Sequence, residues 1–284
     1  LARHLRNRAG ARLRTSSKER AMKQLWSFAV VVGLAFSTTS NAQSNQTQSN
    51  QVGAPGIEAL PRDLEMELAT SALPAHLQEA ATIYVLDPRK GFAVARKGTN
   101  GFHALVARTG DDAFRGSWPL TEYPPDVLYP IGFNAAGATS HMPVFLDVAS
   151  AQAQGMPAAE LKKLIQERFR TGRYKPPARA GLSYMLAPIM RTYDDPEQNP
   201  KISTASHPHV MYFAPNISGK EIGSGELGGV YPHIIMPGPH GLIVQALDSK
   251  EKAAINKRHA ALTQKLCKLK QAWCVPPEHG EHAE

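Results

Sequence analysis

The sequence predicts an α+β domain over residues 57–275: an antiparallel β-meander and further short strands, packed with a helical pair and a C-terminal helix. Three observations carry this. Apolar residues recur at helical spacing near both ends and in the middle of that span. Three β-like runs sit between residues 82 and 108. After residue 180, short apolar runs alternate with Pro- and Gly-rich turns.

From Ile57 to Ala81 the apolar positions are Leu60, Leu64, Leu68, Leu73, Leu77 and Ala80, with Pro61 and Pro74 near the starts of two short helices. TIYVLD (82–87), GFAVARK (91–97) and GFHALVAR (101–108) then read as strands. Asn100-Gly101 between the last two is a hairpin signal, because both residues tolerate positive φ. Gly110–Ala138, rich in Pro, Gly and aromatics, reads as a long ordered loop of the kind that borders a functional surface.

His141–Gln154 and Pro157–Thr171 form the helical pair. In the second, Glu160 lies early, Lys162, Lys163, Arg168 and Arg170 lie later, and Leu161, Leu164, Ile165 and Phe169 make the apolar stripe. Leu182–Leu186, Val210–Phe213, Ile234–Met236 and Leu242–Leu247 are strands. Ser249–Trp273 closes the domain as a helix capped by Ser249, with Leu262, Leu266 and Leu269 buried.

The 284 residues carry a net charge of +8, which suggests nucleic acid until its location is considered. Residues 1–42 hold Arg3, Arg6, Arg8, Arg12, Arg14, Lys18, Arg20 and Lys23 against Glu19 alone, so the body of the chain keeps a net charge of only +1. A nearly neutral body lacks the basic footprint of a DNA or RNA partner.

The leader has its own logic. From Met22, Lys23 supplies a positive start, Leu25–Phe36 an apolar core, and Ser40-Asn41-Ala42 small residues before Gln43. That is the layout of a secretory signal peptide over 22–42, and its apolar run is shorter than the ~20 residues a membrane span needs. The expectation is a periplasmic or extracellular protein with no transmembrane anchor once the signal is cleaved. Residues 1–21 then read as a mis-called upstream extension, 43–56 (QSNQTQSNQVGAPG) as a flexible linker, and 276–284 as a frayed tail.

Two cysteines, Cys267 and Cys274, suit a disulfide in an oxidising compartment. Two turns of unbroken helix would separate them by about 10.5 Å, whereas a bridge needs Cα atoms within about 7 Å. The pair can therefore close only if the helix ends between them, which the helix-poor tail AWCVPPE allows; the alternative is two free thiols.

His207, His209, His233 and His240 fall in SHPHVMYF and YPHIIMPGPHGL. On an extended chain His207 and His209 share a face, and His233 or His240 from a neighbouring segment can complete a Zn or Cu site, with Met211 and Met236 favouring copper. The opposing reading is that Pro208 and Pro232 mark strand starts, each imidazole packing at a rim and bonding a backbone carbonyl. It outweighs metal binding because no HExxH or cysteine partner is present.

No catalytic residues are assigned. Ser183 beside Tyr184 and Ser206 beside His207 are nucleophile neighbours without a G-x-S-x-G elbow or S-x-x-K set. Asp194, Asp195 and Glu197 lack EF-hand spacing and read as a solvated turn rather than a Ca²⁺ site. GSGELGG and PGPHG read as turns, and EHGEHAE as part of the tail.

The phrases ARKGTNGFHALVAR, RTGRYKPP, AGLSYML and PHVMYFAPN, spread over about residues 72–247, resemble a family of exported bacterial proteins without an assigned activity. The resemblance implies a lineage and no catalytic residue. It also implies cysteines near the positions of Ala104 and Ile131, which this chain lacks. The functional expectation is a non-catalytic envelope protein binding a small ligand or metal. A metal-assisted or histidine-based hydrolase and a structural or interaction module of the envelope stand as alternatives.

Overall fold

A computed structural model describes residues 57–277 apart from 117, 119–122, 198 and 225–229. The expected leader, linker and most of the tail, with GSGELGG beyond Ser224, lie outside the described residues. So do the side chains of Asp194 and Asp195.

The described chain runs α1 (Arg62–Ser71), α2 (Ala75–Gln78), β1 (Thr82–Asp87), β2 (Gly91–Arg96), β3 (His103–Ala107), α3 (Asp112–Arg115), β4 (Tyr129–Phe133), α4 (Ala135–Ser140), α5 (Met142–Ala153) and α6 (Ala158–Arg170). It continues through β5 (Gly181–Met185), β6 (Met190–Asp195), β7 (Asn199–Ala205), β8 (His209–Phe213), α7 (Gly219–Ile222), β9 (His233–Met236), β10 (Leu242–Ala246), α8 (Ser249–Arg258) and α9 (Ala260–Leu269). The α+β class holds: eight strands form one mixed sheet in the order β2-β1-β3-β4-β5-β8-β10-β9, and β6 with β7 makes a separate ribbon.

Strand alternation divides the core in two. On β3, Ala104 and Val106 face α1 and α9, joining Leu64, Leu68, Ile83, Leu262 and Leu266. Leu105 and Ala107 face the other way, with Ile131, Phe133, Met211, Phe213 and the α5 residues Met142 and Phe145. Val144, Val148, Leu161 and Ile165 then join α5 to α6. Burying an apolar side chain of this size is worth roughly 1.5–3 kcal/mol, so both faces of the sheet are firmly covered around β3 and β4.

The first three strands depart from a simple meander. β1 and β2 form an antiparallel hairpin ending at Asp87 opposite Gly91, but β3 pairs parallel to β1, Thr82 opposite His103. The β2–β3 connection crosses the start of β1 instead of folding back on β2. Thr99 and Asn100 both donate from N–H to the Ala80 carbonyl, and Gly98 N donates to Thr82 Oγ1 at 3.0 Å. Ala104 lies opposite Gly132 and Leu105 opposite Ile131, so the side chains of Ala104 and Ile131 point to opposite faces.

The segment read as one long loop contains α3, β4 and the start of α4. Pro130 and Gly132 disguise β4, because proline removes a ladder donor. The β5 ladder reaches only Gly132 and Phe133, leaving Pro130 clear of it.

β6 and β7 were not among the expected strands. Their turn covers Pro196 and Glu197, and Leu128 bridges Arg191 to hold the ribbon beside the start of β4.

The C-terminal helix is two helices sharing His259 as a junction. Asp248, not Ser249, caps the first by accepting from Glu251 N at 2.8 Å. Leu262 and Leu266 are buried, but Leu269 is 53 % exposed because α9 ends there. That ending lets Cys267 and Cys274 bond, with Cα atoms 4.3 Å apart. Trp273 turns inward, its Nε1 donating to the Asp126 carbonyl at 3.1 Å. Lys270 Nζ pairs with Glu58 and, at 3.3 Å, with Asp126.

Candidate functional site

β8 and β9 start alike. Each opens on Pro-His, Pro208-His209 and Pro232-His233. Proline holds the residue before it extended, and the imidazole after it curls back toward the carbonyl two residues earlier. His209 Nδ1 lies 2.7 Å from the His207 carbonyl, and His233 Nδ1 lies 3.4 Å from that of Tyr231. A carbonyl only accepts, so in His209 Nδ1 carries the hydrogen and Nε2 keeps its lone pair.

The register places both rings over one floor. His209 stands opposite Ala246 and His233 opposite Val244, both on β10, which runs between their strands. The outer strands are about 10 Å apart, and the small β10 side chains leave the space between the imidazoles open. His209 and His233 are each 6 % exposed.

Burial pushes the His209 pKa down to about 4, against the bond to the His207 carbonyl and the Asp111 charge, while the His207 and His233 rings add smaller contributions to the fall. His209 is neutral in ordinary conditions. His207 sits at the rim, its ring 5.3 Å from that of His209, and partial desolvation with nearby Lys252 lowers its pKa as well.

The opposite walls come from segments far away in sequence. Asp111, just before α3, and Arg115, its last residue, form an ion pair, Oδ1 to Nη2 at 2.8 Å. Tyr129 comes from β4, and Met190, Thr192 and Tyr193 come from the ribbon. With Met211, Ile235, Val244 and Ala246 they enclose a cleft of about 450 Å³. Burial first, then Asp111, pushes the Tyr129 phenol up, and burial with Asp112 pushes Tyr193 up to about 12.

Two oxygens in these walls, Asp111 Oδ2 and Thr192 Oγ1, are buried without a hydrogen-bond partner. A void of about 10 Å³ lies behind the cleft, sharing Asp111, Tyr129 and Met211 with it and touching Ser183.

Three of the four sequence-predicted histidines, His207, His209 and His233, therefore line one cleft. His240 stands elsewhere, 5.1 Å from the Phe169 ring and 5.8 Å from that of His141. Among the described residues no three His, Cys, Asp or Glu side chains form a group able to hold a metal ion.

Neither nucleophile neighbour has a histidine partner in its bonding: Ser206 Oγ donates to Asn256 Oδ1 at 2.7 Å, and Ser183 Oγ is buried and unpartnered. Ser140 Oγ does reach His141 Nδ1 at 2.9 Å, but the ring is sealed between Phe213 at 3.8 Å and Phe114 at 4.9 Å. Glu197 accepts from Trp118 N at 3.1 Å, so it anchors the turn.

Asp111, Arg115, Tyr129 and Thr192 were not singled out from the sequence. The available signal was the acidic pair Asp111-Asp112 inside the long Pro-, Gly- and aromatic-rich segment expected to border a functional surface. Neither family models, curated proteins nor solved structures match the chain.

Proposed function

We propose that this is an exported, non-catalytic binding protein that holds a small ligand in the cleft between α3, the β6–β7 ribbon and the His209–His233 lip. The observation that carries the reading is the pair of buried, unpartnered oxygens, Asp111 Oδ2 and Thr192 Oγ1, in the wall of an open cleft. Buried polar atoms almost always have a partner, and leaving one unmade costs about 1–3 kcal/mol. Such atoms just behind the wall of a cleft of this size suit a ligand that completes them.

Catalysis is less well supported. An imidazole with its pKa near 4 is a weak general base near neutrality, and among the described residues the cleft lining contains no serine or cysteine. Export rests on Lys23, Leu25–Phe36 and Ser40–Ala42, together with the paired cysteines.

The test is a thermal-shift screen of neutral, cationic and anionic small molecules and of Zn²⁺ and Cu²⁺, on protein expressed from Met22 and recovered from the periplasm. Stabilising hits should weaken in Thr192→Val and His209→Phe. Hits indifferent to both changes would remove the cleft as the binding site. N-terminal sequencing of the recovered protein should begin at Gln43.

A further inference from the structure

The cleft lining carries donors on Arg115, Tyr129 and Tyr193 as well as acceptors, and the two oxygens left without a partner, Asp111 Oδ2 and Thr192 Oγ1, specify a ligand class. Asp111 spends Oδ1 on Arg115 at 2.8 Å and leaves Oδ2 unpartnered while 4 % exposed. His209 spends its one N–H on the His207 carbonyl at 2.7 Å, so Nε2 offers only a lone pair. His233 repeats the arrangement more loosely at 3.4 Å. Thr192 is 8 % exposed, and its buried, unpartnered Oγ1 can take either role.

The charge balance points the same way. Two carboxylates, Asp111 and Asp112, are buried beside the cleft at 4 % and 3 % exposure, against one guanidinium, Arg115, in its lining. An anion entering here would meet the Asp111 carboxylate and acceptor lone pairs, with the charge of Arg115 already balanced by Asp111. A metal ion would lack a converging set of three His, Cys, Asp or Glu side chains among the described residues. A protonated amine meets neither obstacle, since its three N–H donors suit a carboxylate oxygen, an imidazole lone pair and a hydroxyl. Met211, Ile235, Val244 and Ala246 supply the apolar surface for the carbon chain attached to it.

We propose that the cleft binds a small organic cation, a primary ammonium with a short aliphatic chain, through Asp111 Oδ2, His209 Nε2 and Thr192 Oγ1. This deepens the binding reading above and rests on it.

The test is a ¹⁵N-correlation NMR titration of the intact exported protein with n-butylammonium, 1,4-diaminobutane, n-butanol and butyrate, which detects weak binding directly. Butylammonium and 1,4-diaminobutane should shift the amides of Thr192, His209, Val244 and Ala246. Butanol and butyrate should not. Asp111→Asn, which keeps the side-chain shape, should weaken butylammonium by at least about tenfold, as expected for losing one charge-assisted hydrogen bond.

Ala246→Leu, which fills the floor without touching the ion pair, should abolish the shifts even if Asp111→Asn folds poorly. Binding of butanol or butyrate at those amides in place of the amines would overturn cation selection and leave the binding reading standing. Equal butylammonium affinity in folded Asp111→Asn would do the same. No probe of any charge perturbing the cleft would overturn both.

Discussion

Glu65 and Arg108 are bonded inside the domain, Oε1 to Nη2 at 3.1 Å, with 1 % and 2 % of their side chains exposed. The pair fastens α1 to the end of β3. Its remaining hydrogen bonds are also satisfied: Leu86 N donates to Glu65 Oε1 at 3.1 Å, and Arg108 donates to the Val106 and Glu58 carbonyls. Removing one partner strands a buried charge, which costs about 3–5 kcal/mol, whereas replacing both with apolar residues is far milder. Urea midpoints should therefore fall more for Glu65→Leu alone than for Glu65→Leu with Arg108→Leu. Equal or additive losses would mean that the coupling is not there.

The buried imidazoles make stability depend on acid. Burial lowers His209 to about 4 and His141 to about 3, from 6.5. Between 6.5 and those values the unfolded chain binds protons that the folded protein refuses. Stability is thus complete above about pH 6.5 and declines as the pH drops toward 4, each group contributing a slope of roughly 1.4 kcal/mol per pH unit. In His141→Phe, which keeps an aromatic ring between Phe213 and Phe114, the decline in folding free energy with pH should be visibly shallower. An unchanged slope would remove His141 from the account.

Cutting the Cys267–Cys274 bond releases a short loop and, with it, the anchor of Trp273. The chain-entropy cost of so small a loop is on the order of 2–3 kcal/mol. Reduced protein, or Cys267→Ser with Cys274→Ser, should show that drop in chemical denaturation. The emission of Trp273 should shift toward that of a solvated indole, while the cleft amides, built from other elements, should stay in place.

Gly98 is required by space alone. A Cβ there would overlap the Ala80 carbonyl oxygen and Thr82 N, both backbone atoms that cannot rotate away. Gly98→Ala should therefore destabilise the domain by more than the ~1 kcal/mol typical of point changes, whereas Gly101→Ala, where a Cβ meets nothing but φ is +74°, should cost only the backbone strain. A thermal melt of the two variants distinguishes crowding from conformation.

Gly98 also shows what the sequence hides. Asn100-Gly101 looks like a hairpin turn, and the glycine does take positive φ, yet the chain crosses to pair β3 with β1. That choice is made by backbone bonds to Ala80 and by the burial of both faces of β3, neither of which local pattern records. The helices were legible because Leu64, Leu68, Leu161 and Ile165 repeat at the period of the element they form. β4 was not, because Pro130 and Gly132 erase the β-propensity of a strand held by its neighbours.

The site was half legible for the same reason. His207, His209 and His233 sit beside prolines that fix their local geometry, so their convergence could be anticipated. Asp111 and Thr192 join them only through pairing across the sheet and the ribbon. His240 lies nearer to His233 in sequence than His209 does but falls beyond β9, among the aromatic rings near α6.

Lys270 bonding Glu58 has a topological consequence. Glu58 N donates to the Pro125 carbonyl at 2.9 Å, and Trp273 Nε1 donates to the adjacent Asp126 carbonyl at 3.1 Å. The two ends of the domain thus dock on the same dipeptide. A circular permutant that joins 57 to 277 through a short flexible linker and opens at the exposed Gln154–Gly155 turn should fold with its cleft intact.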